Sequence, residues 1–153
     1  MQKLFWPLAV LVLVVIAGVV LLIVPGKSQA PTTDHTATTT PTDSHADLIV
    51  VDWPKPGQAV SSTTILITGQ ARGSWFFEGS FPVEVLNAAG KVIDHEPAVA
   101  EGDWMTSEFV PFTSRQGYPP QPVGSIGTII LKKDNPSGLP EHEDSVSIPV
   151  TFQ

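Results

Sequence analysis

The 153-residue chain contains no cysteine. Disulfides, thiol nucleophiles and cysteine-ligated metals are thereby excluded, and a folded domain must be held by its core alone. Positive charge is also scarce: eight Lys and Arg stand against fifteen Asp and Glu, a net charge of -7. From Leu48 onward six basic residues face twelve acidic ones. Such a balance opposes nucleic acid, which selects basic patches, and direct docking on anionic lipid. Catalytic signatures are missing as well. There is no Gly-x-Ser-x-Gly elbow, no HExxH pair and no phosphate-cradling glycine loop. Glu78, Glu84, Glu96, Glu101 and Glu108 do not by residue type make a glycosidase, whose carboxyls need a set separation across a sugar-sized cleft. The expectation is a protein that is not an enzyme and has no cofactor.

The apolar residues that are present are unevenly spread. From Leu4 to Val24, LFWPLAVLVLVVIAGVVLLIV, no charge occurs. About 20 apolar residues are what a helix needs to cross the hydrocarbon core of a bilayer. Pro7 lies near the start, where a helix tolerates it. A cleaved signal peptide has a shorter apolar region, and the nearest small-x-small site, Ser28-Gln29-Ala30, is followed by Pro31. Residues 1–24 therefore read as an uncleaved transmembrane anchor. Lys3 and the terminal amine before it favour a cytoplasmic N-terminus and an outside remainder.

Residues 25–47, PGKSQAPTTDHTATTTPTDSHAD, hold almost no large apolar side chain and cannot form a core. They read as a disordered Thr/Pro/Ser-rich linker with a reach of about 30 Å. His35 and His45 lie in it without fixed neighbours, so no metal role is expected of them.

From 48 to 153 short apolar runs alternate with Gly, Pro and Asp. LIVVDW, TTILITG, FPVEVLN, KVIDH, DWMTSEFVPF, GTIILKK and SVSIPVTF are seven candidate strands. In the last, Val146, Ile148, Val150 and Phe152 alternate with Ser145, Ser147, Pro149 and Thr151, the period of a strand with one buried face. Pro149 cannot donate to a ladder and points to an edge strand or an outward-facing bond. Trp104 reads as a central core residue whose indole needs an acceptor. About seven short strands at this spacing predict an all-β fold, an antiparallel β-sandwich of immunoglobulin type.

The segments ITGQARGSWFFEGSFPVEVLNAAGKVI, GDWMTSEFVPF and LKKDNPSGLPEHEDSVSIPVTF, in that order, resemble the immunoglobulin-like domain of bacterial spore germination, a Gmad-type family. The likeness runs over nearly all of 48–153. It implies an extracytoplasmic β-sandwich of the bacterial cell envelope with an association with germination, and the Leu4–Val24 span is expected to hold it at the cytoplasmic membrane.

Two kinds of site are open to such a domain. The loop from Asp134 to Asp144 carries Asp134, Asn135, Glu141, His142, Glu143 and Asp144. Calcium takes such oxygens, but the spacing is not that of an EF-hand, and a polar turn with Asp134 bonding its own backbone is the expectation. No metal site is predicted there, and His95 reads as a rim histidine. The other kind is aromatic. In Trp75-Phe76-Phe77-Glu78 successive strand side chains would point to opposite faces. Phe77 shares the phase of Phe81, Val83 and Val85 and is placed in the core, with Phe76 opposite and Trp75 partly exposed. Glu78 is expected to bond nearby backbone N–H groups. Trp75, Phe76 and the loop residue Tyr118 are the predicted binding residues, for an envelope protein or, alternatively, for cell-wall glycan.

Overall fold

The computed structural model describes residues 45–153. The Leu4–Val24 anchor and all but the last three residues of the 25–47 linker lie outside the described residues. Among those described, no helix is long and apolar enough to cross a membrane.

Among the described residues ten strands form where seven are expected, and proline accounts for the difference. They are β1 (Ile49–Trp53), β2 (Gln58–Val60), β3 (Thr64–Arg72), β4 (Ser80–Phe81), β5 (Val83–Leu86), β6 (Val92–His95), β7 (Ala98–Ala100), β8 (Phe109–Gly117), β9 (Ile126–Lys132) and β10 (Ser145–Phe152). One sheet has the order β1-β3-β8-β7-β4, the other β2-β10-β9-β5-β6. Among the described residues the chain changes sheet five times, between β1 and β2, β2 and β3, β4 and β5, β6 and β7, and β8 and β9. The first, third and fourth of these each pass through a proline: Pro54, after a cis Trp53–Pro54 bond, then Pro82, and then Pro97. A proline has no N–H to give a ladder, and at these three places the residues on its two sides pair with different sheets. Ser80 and Phe81 pair with β7, whereas Val83 to Leu86 pair with β9.

The two sheets enclose one core. Ile65, Ile67, Ala71, Val110 and Phe112 come from the first; Val83, Val85, Ile129, Leu131, Ile148, Val150 and Phe152 come from the second. The period-two reading of β10 holds over its whole length. Its position does not match the edge expectation, because β10 lies between β2 and β9. The N–H and C=O of one strand residue face the same side. The Pro149 carbonyl accepts the Gly57 N–H at 2.7 Å, so the missing Pro149 donor faces the segment just before β2 and breaks no bond to β9. Named ladders are antiparallel except β2 with β10, which is parallel.

Trp104 is not central to the core. It sits half-buried in the loop before β8, packed against the core rim with its indole over Gly79.

Candidate functional site

The aromatic run folds by turns, which removes the strand alternation expected of it. Gly73–Trp75 is a single 3-10 turn, and Phe76 closes it with its N–H on the Gly73 carbonyl at 3.1 Å. Gly73 must be glycine: a Cβ there would run into the Thr106 and Trp104 carbonyl oxygens. The next four residues form a tight hairpin. Phe77 and Ser80 exchange both backbone bonds, at 3.0 and 3.1 Å, while Glu78 and Gly79 have φ of 52° and 76°. Positive φ at both central residues is the twist that joins antiparallel strands through two residues.

This geometry reverses the expected exposures. Trp75 is 0% exposed and Phe76 5%, and both rings pack on Phe81, at 6.4 and 5.2 Å. Phe81 in turn meets Phe112 edge-on at 5.0 Å. Phe77, placed in the core from its phase, flanks the hairpin and is 43% exposed. Glu78 makes no hydrogen bond among the described residues; the turn, not a backbone N–H, accounts for its position. The Trp75 indole N–H is buried without a partner.

Tyr118 is buried as well, at the opposite end of the β3–β8 ladder. Its hydroxyl donates to the Ser61 carbonyl at 2.9 Å, and its ring packs on Phe152 at 5.6 Å. Burial pushes the phenol up to about 12, and the negative charge of Asp94 adds to that rise. Trp75 and Phe76 therefore come together with Phe81 inside the core, Tyr118 lies apart from them, and none of the three presents a binding surface.

What is open lies beside them, at the β9–β10 connection. Asp134 N–H donates to the Trp75 carbonyl at 3.0 Å, and Lys133 N–H to the Asp144 carbonyl at 2.8 Å. The loop is stiffened from within. The Asn135 amide donates to the Leu139 carbonyl at 2.8 Å, and the Ser137 hydroxyl donates to Asn135 Oδ1 at 2.6 Å. Ser137 Oγ also lies 3.0 Å from His142 Nδ1. Asn135 thus does the turn bonding expected of Asp134. At the far wall His45 Nε2 meets Asp144 Oδ1 at 2.6 Å, and the His45 ring stands edge-on to Trp75 at 6.3 Å. A histidine read as lacking fixed neighbours is thus seated on the domain.

Two concavities flank this loop. One, of about 590 Å³, is lined by Pro82, Lys132, Lys133, Asp134, Glu143 and Asp144 among others. The other, of about 340 Å³, is lined by Phe76, Phe77, Lys133, Asp134, Asn135 and His142 among others. Lys133, Asp134 and Asn135 line both, so the two adjoin there, and the second, with Phe77 on its wall, is a trough. Lys132 is neutralised by Glu84 at 2.6 Å. The half-buried side chains of Lys133 and Asp134 have no hydrogen-bond or ion-pair partner among the described residues. No three His, Asp or Glu side chains among the described residues gather where they could hold a metal ion. The trough thus offers an exposed aromatic, a free cation and a free carboxylate, which is equipment for recognition. Of these, sequence reading missed Phe77 and Lys133. The Glu78-Gly79 pair was the available signal for Phe77, since a glycine-ended two-residue hairpin turns the flanking side chains away from a continuous strand phase.

Residues 48–138 match the family described as the immunoglobulin-like domain of bacterial spore germination. The match ends at Gly138, before β10. No curated protein matches the chain.

Proposed function

The chain belongs to the immunoglobulin-like domain family of bacterial spore germination, and from that premise we propose that it is a non-catalytic, germination-associated binding module of the cell envelope. In this reading Leu4–Val24 holds it in the cytoplasmic membrane, the linker spans the intervening space, and the sandwich works outside. The partner is an envelope protein received in the trough. The observation that carries the reading is the pairing of Phe77, 43% exposed, with the unpaired charges of Lys133 and Asp134 along the same trough. Exposed aromatics lead interface hot spots, and a desolvated charge is worth most when the partner supplies its opposite.

A photoreactive residue at position 77 tests this in cells. A discrete protein adduct is expected, and it should fade when Lys133 and Asp134 are both changed to Ala. Position 66, also exposed but on β3, serves as the control. No adduct at 77, or the same adduct at 66, would count against the trough.

The glycan alternative keeps one support, although not from Trp75 or Tyr118. Trp53 is 40% exposed at the end of β1 and offers a ring on which a sugar can stack. Co-sedimentation with purified peptidoglycan, lost in Trp53→Ala, is the outcome that would favour glycan over protein.

A further inference from the structure

The parallel β2–β10 pair joins the first part of the domain to its last strand in a geometry with a mechanical consequence. Its register is Gln58 with Val150, Ala59 with Thr151 and Val60 with Phe152. Because the strands run the same way, a pull entering from the N-terminal side reaches the pair at Gln58 once β1 has parted from β3. A pull leaving through Gln153 departs at Phe152, the other end. The two strands are then drawn along one another, and every bond between them carries load together.

The pair is extended beyond the ladder on both sides. Gly57 N–H donates to the Pro149 carbonyl at 2.7 Å, Gln153 N–H to the Val60 carbonyl at 2.9 Å, and Ser62 N–H to the Gln153 carbonyl at 3.0 Å. Beneath it Val60, Val150 and Phe152 are buried, at 3%, 1% and 0% exposure. Water, which must replace a hydrogen bond for it to open, is thus kept from the inner side of the pair. On its other side β10 is held against β9 from Ser145 to Thr151, so β10 cannot simply follow β2 out of the sheet.

We propose that this domain is a load-bearing element, and that its resistance to tension along the chain resides in the β2–β10 pair. The proposal stands whatever partner the trough receives. It concerns the rate of unfolding under force, which follows the barrier and not the equilibrium stability. A directional dependence follows. The same bonds loaded from one end break one after another, each bearing the full force alone.

The absence of cysteine makes the test unambiguous, because handles attach only where cysteine is introduced. In the full-length chain held in detergent, Ala46→Cys with Gln153→Cys loads the pair lengthwise. Ser61→Cys with Gln153→Cys places both handles at the same end of the pair and opens it as a zipper. Single-molecule pulling should give an unfolding force several-fold higher for the first geometry, with equal melting temperatures for the two double variants. Adding Ser62→Pro, which deletes the Ser62 donor, should lower the force in the first geometry. Equal forces in the two geometries would overturn the proposal, as would a lengthwise force that Ser62→Pro leaves unchanged.

Discussion

Trp75 fills the end of the core where β3 leaves its sheet, with its side chain out of water and its ring edge-on to Phe81. Truncating a buried aromatic removes its transfer free energy and leaves a cavity. Trp75→Ala should therefore lower stability by about 3–5 kcal/mol in urea unfolding. Phe77→Ala should cost about 1 kcal/mol or less, because a surface side chain loses little on truncation. The opposite order would mean that the hairpin does not hold Phe77 outward. Tyr118 gives a second residue-scale expectation. It is the only tyrosine in the chain, so tyrosinate absorbance reads it alone. The phenol should ionise near 12 in the folded protein, raised by burial and then by Asp94. Unfolding should return it to about 10. The folded form keeps its proton where the unfolded form has lost it. The contribution to stability is thus full below about 10 and is lost as pH rises through about 12. Asp94→Asn should lower the folded value; an unchanged titration would remove the charge contribution.

At the scale of the elements, the corner between β6 and β7 depends on one buried amide. Gln116, on β8 and 0% exposed, donates to the Glu96 carbonyl at 2.7 Å and accepts the Glu96 N–H at 3.3 Å. Its amide also donates to the Ser114 hydroxyl at 2.7 Å. Beside it, Asp94 of β6 accepts the Gly117 N–H at 2.7 Å, tying the second sheet to the end of β8. Gln116→Ala takes the acceptor from the Glu96 N–H and the shorter of two donors from its carbonyl, leaving the Ser114 hydroxyl at 3.4 Å. A buried group left unsatisfied costs about 1–3 kcal/mol, so the melting temperature should drop clearly. Hydrogen exchange should rise first in β6 and β7. Loss of protection spread evenly over both sheets would show that the amide does not serve that corner in particular.

At the scale of the whole molecule, the last strand decides whether a sandwich exists. β10 lies in the interior of its sheet, and Ile148, Val150 and Phe152 fill the core from it. Gly127 leaves room for the Phe152 ring, which a Cβ at that position would strike. A chain ending at Gly138, where the family match stops, would lose this strand, strip β9 of a neighbour and orphan β2. It should show no cooperative thermal transition by circular dichroism and poorly dispersed amide resonances. A folded truncated chain would mean that the remaining strands close the core without β10.

That residues 48–153 form an all-β domain, where most of its strands run and which side chains of β10 face inward were all legible from residue order, because period-two burial is a local property of a strand. The sequence also carried the family resemblance, in an order of short motifs. The sequence did not determine which sheet each strand joins. Phe81, Val83 and Val85 do all face the core, as their phase indicates, yet they do so from two sheets, because Pro82 lets the chain cross between them. The site was less legible for the same reason. Alternation predicts orientation only within a ladder, and Trp75 and Phe76 leave the ladder in a 3-10 turn that packs both inward. Whether Lys133 and Asp134 find partners depends on chain segments brought together across the fold, Trp75 from one side and Asp144 from the other. Only tertiary structure supplies those neighbours, since backbone bonds to Trp75 and Asp144 spend the loop's main-chain groups and leave the two charged side chains open to the trough.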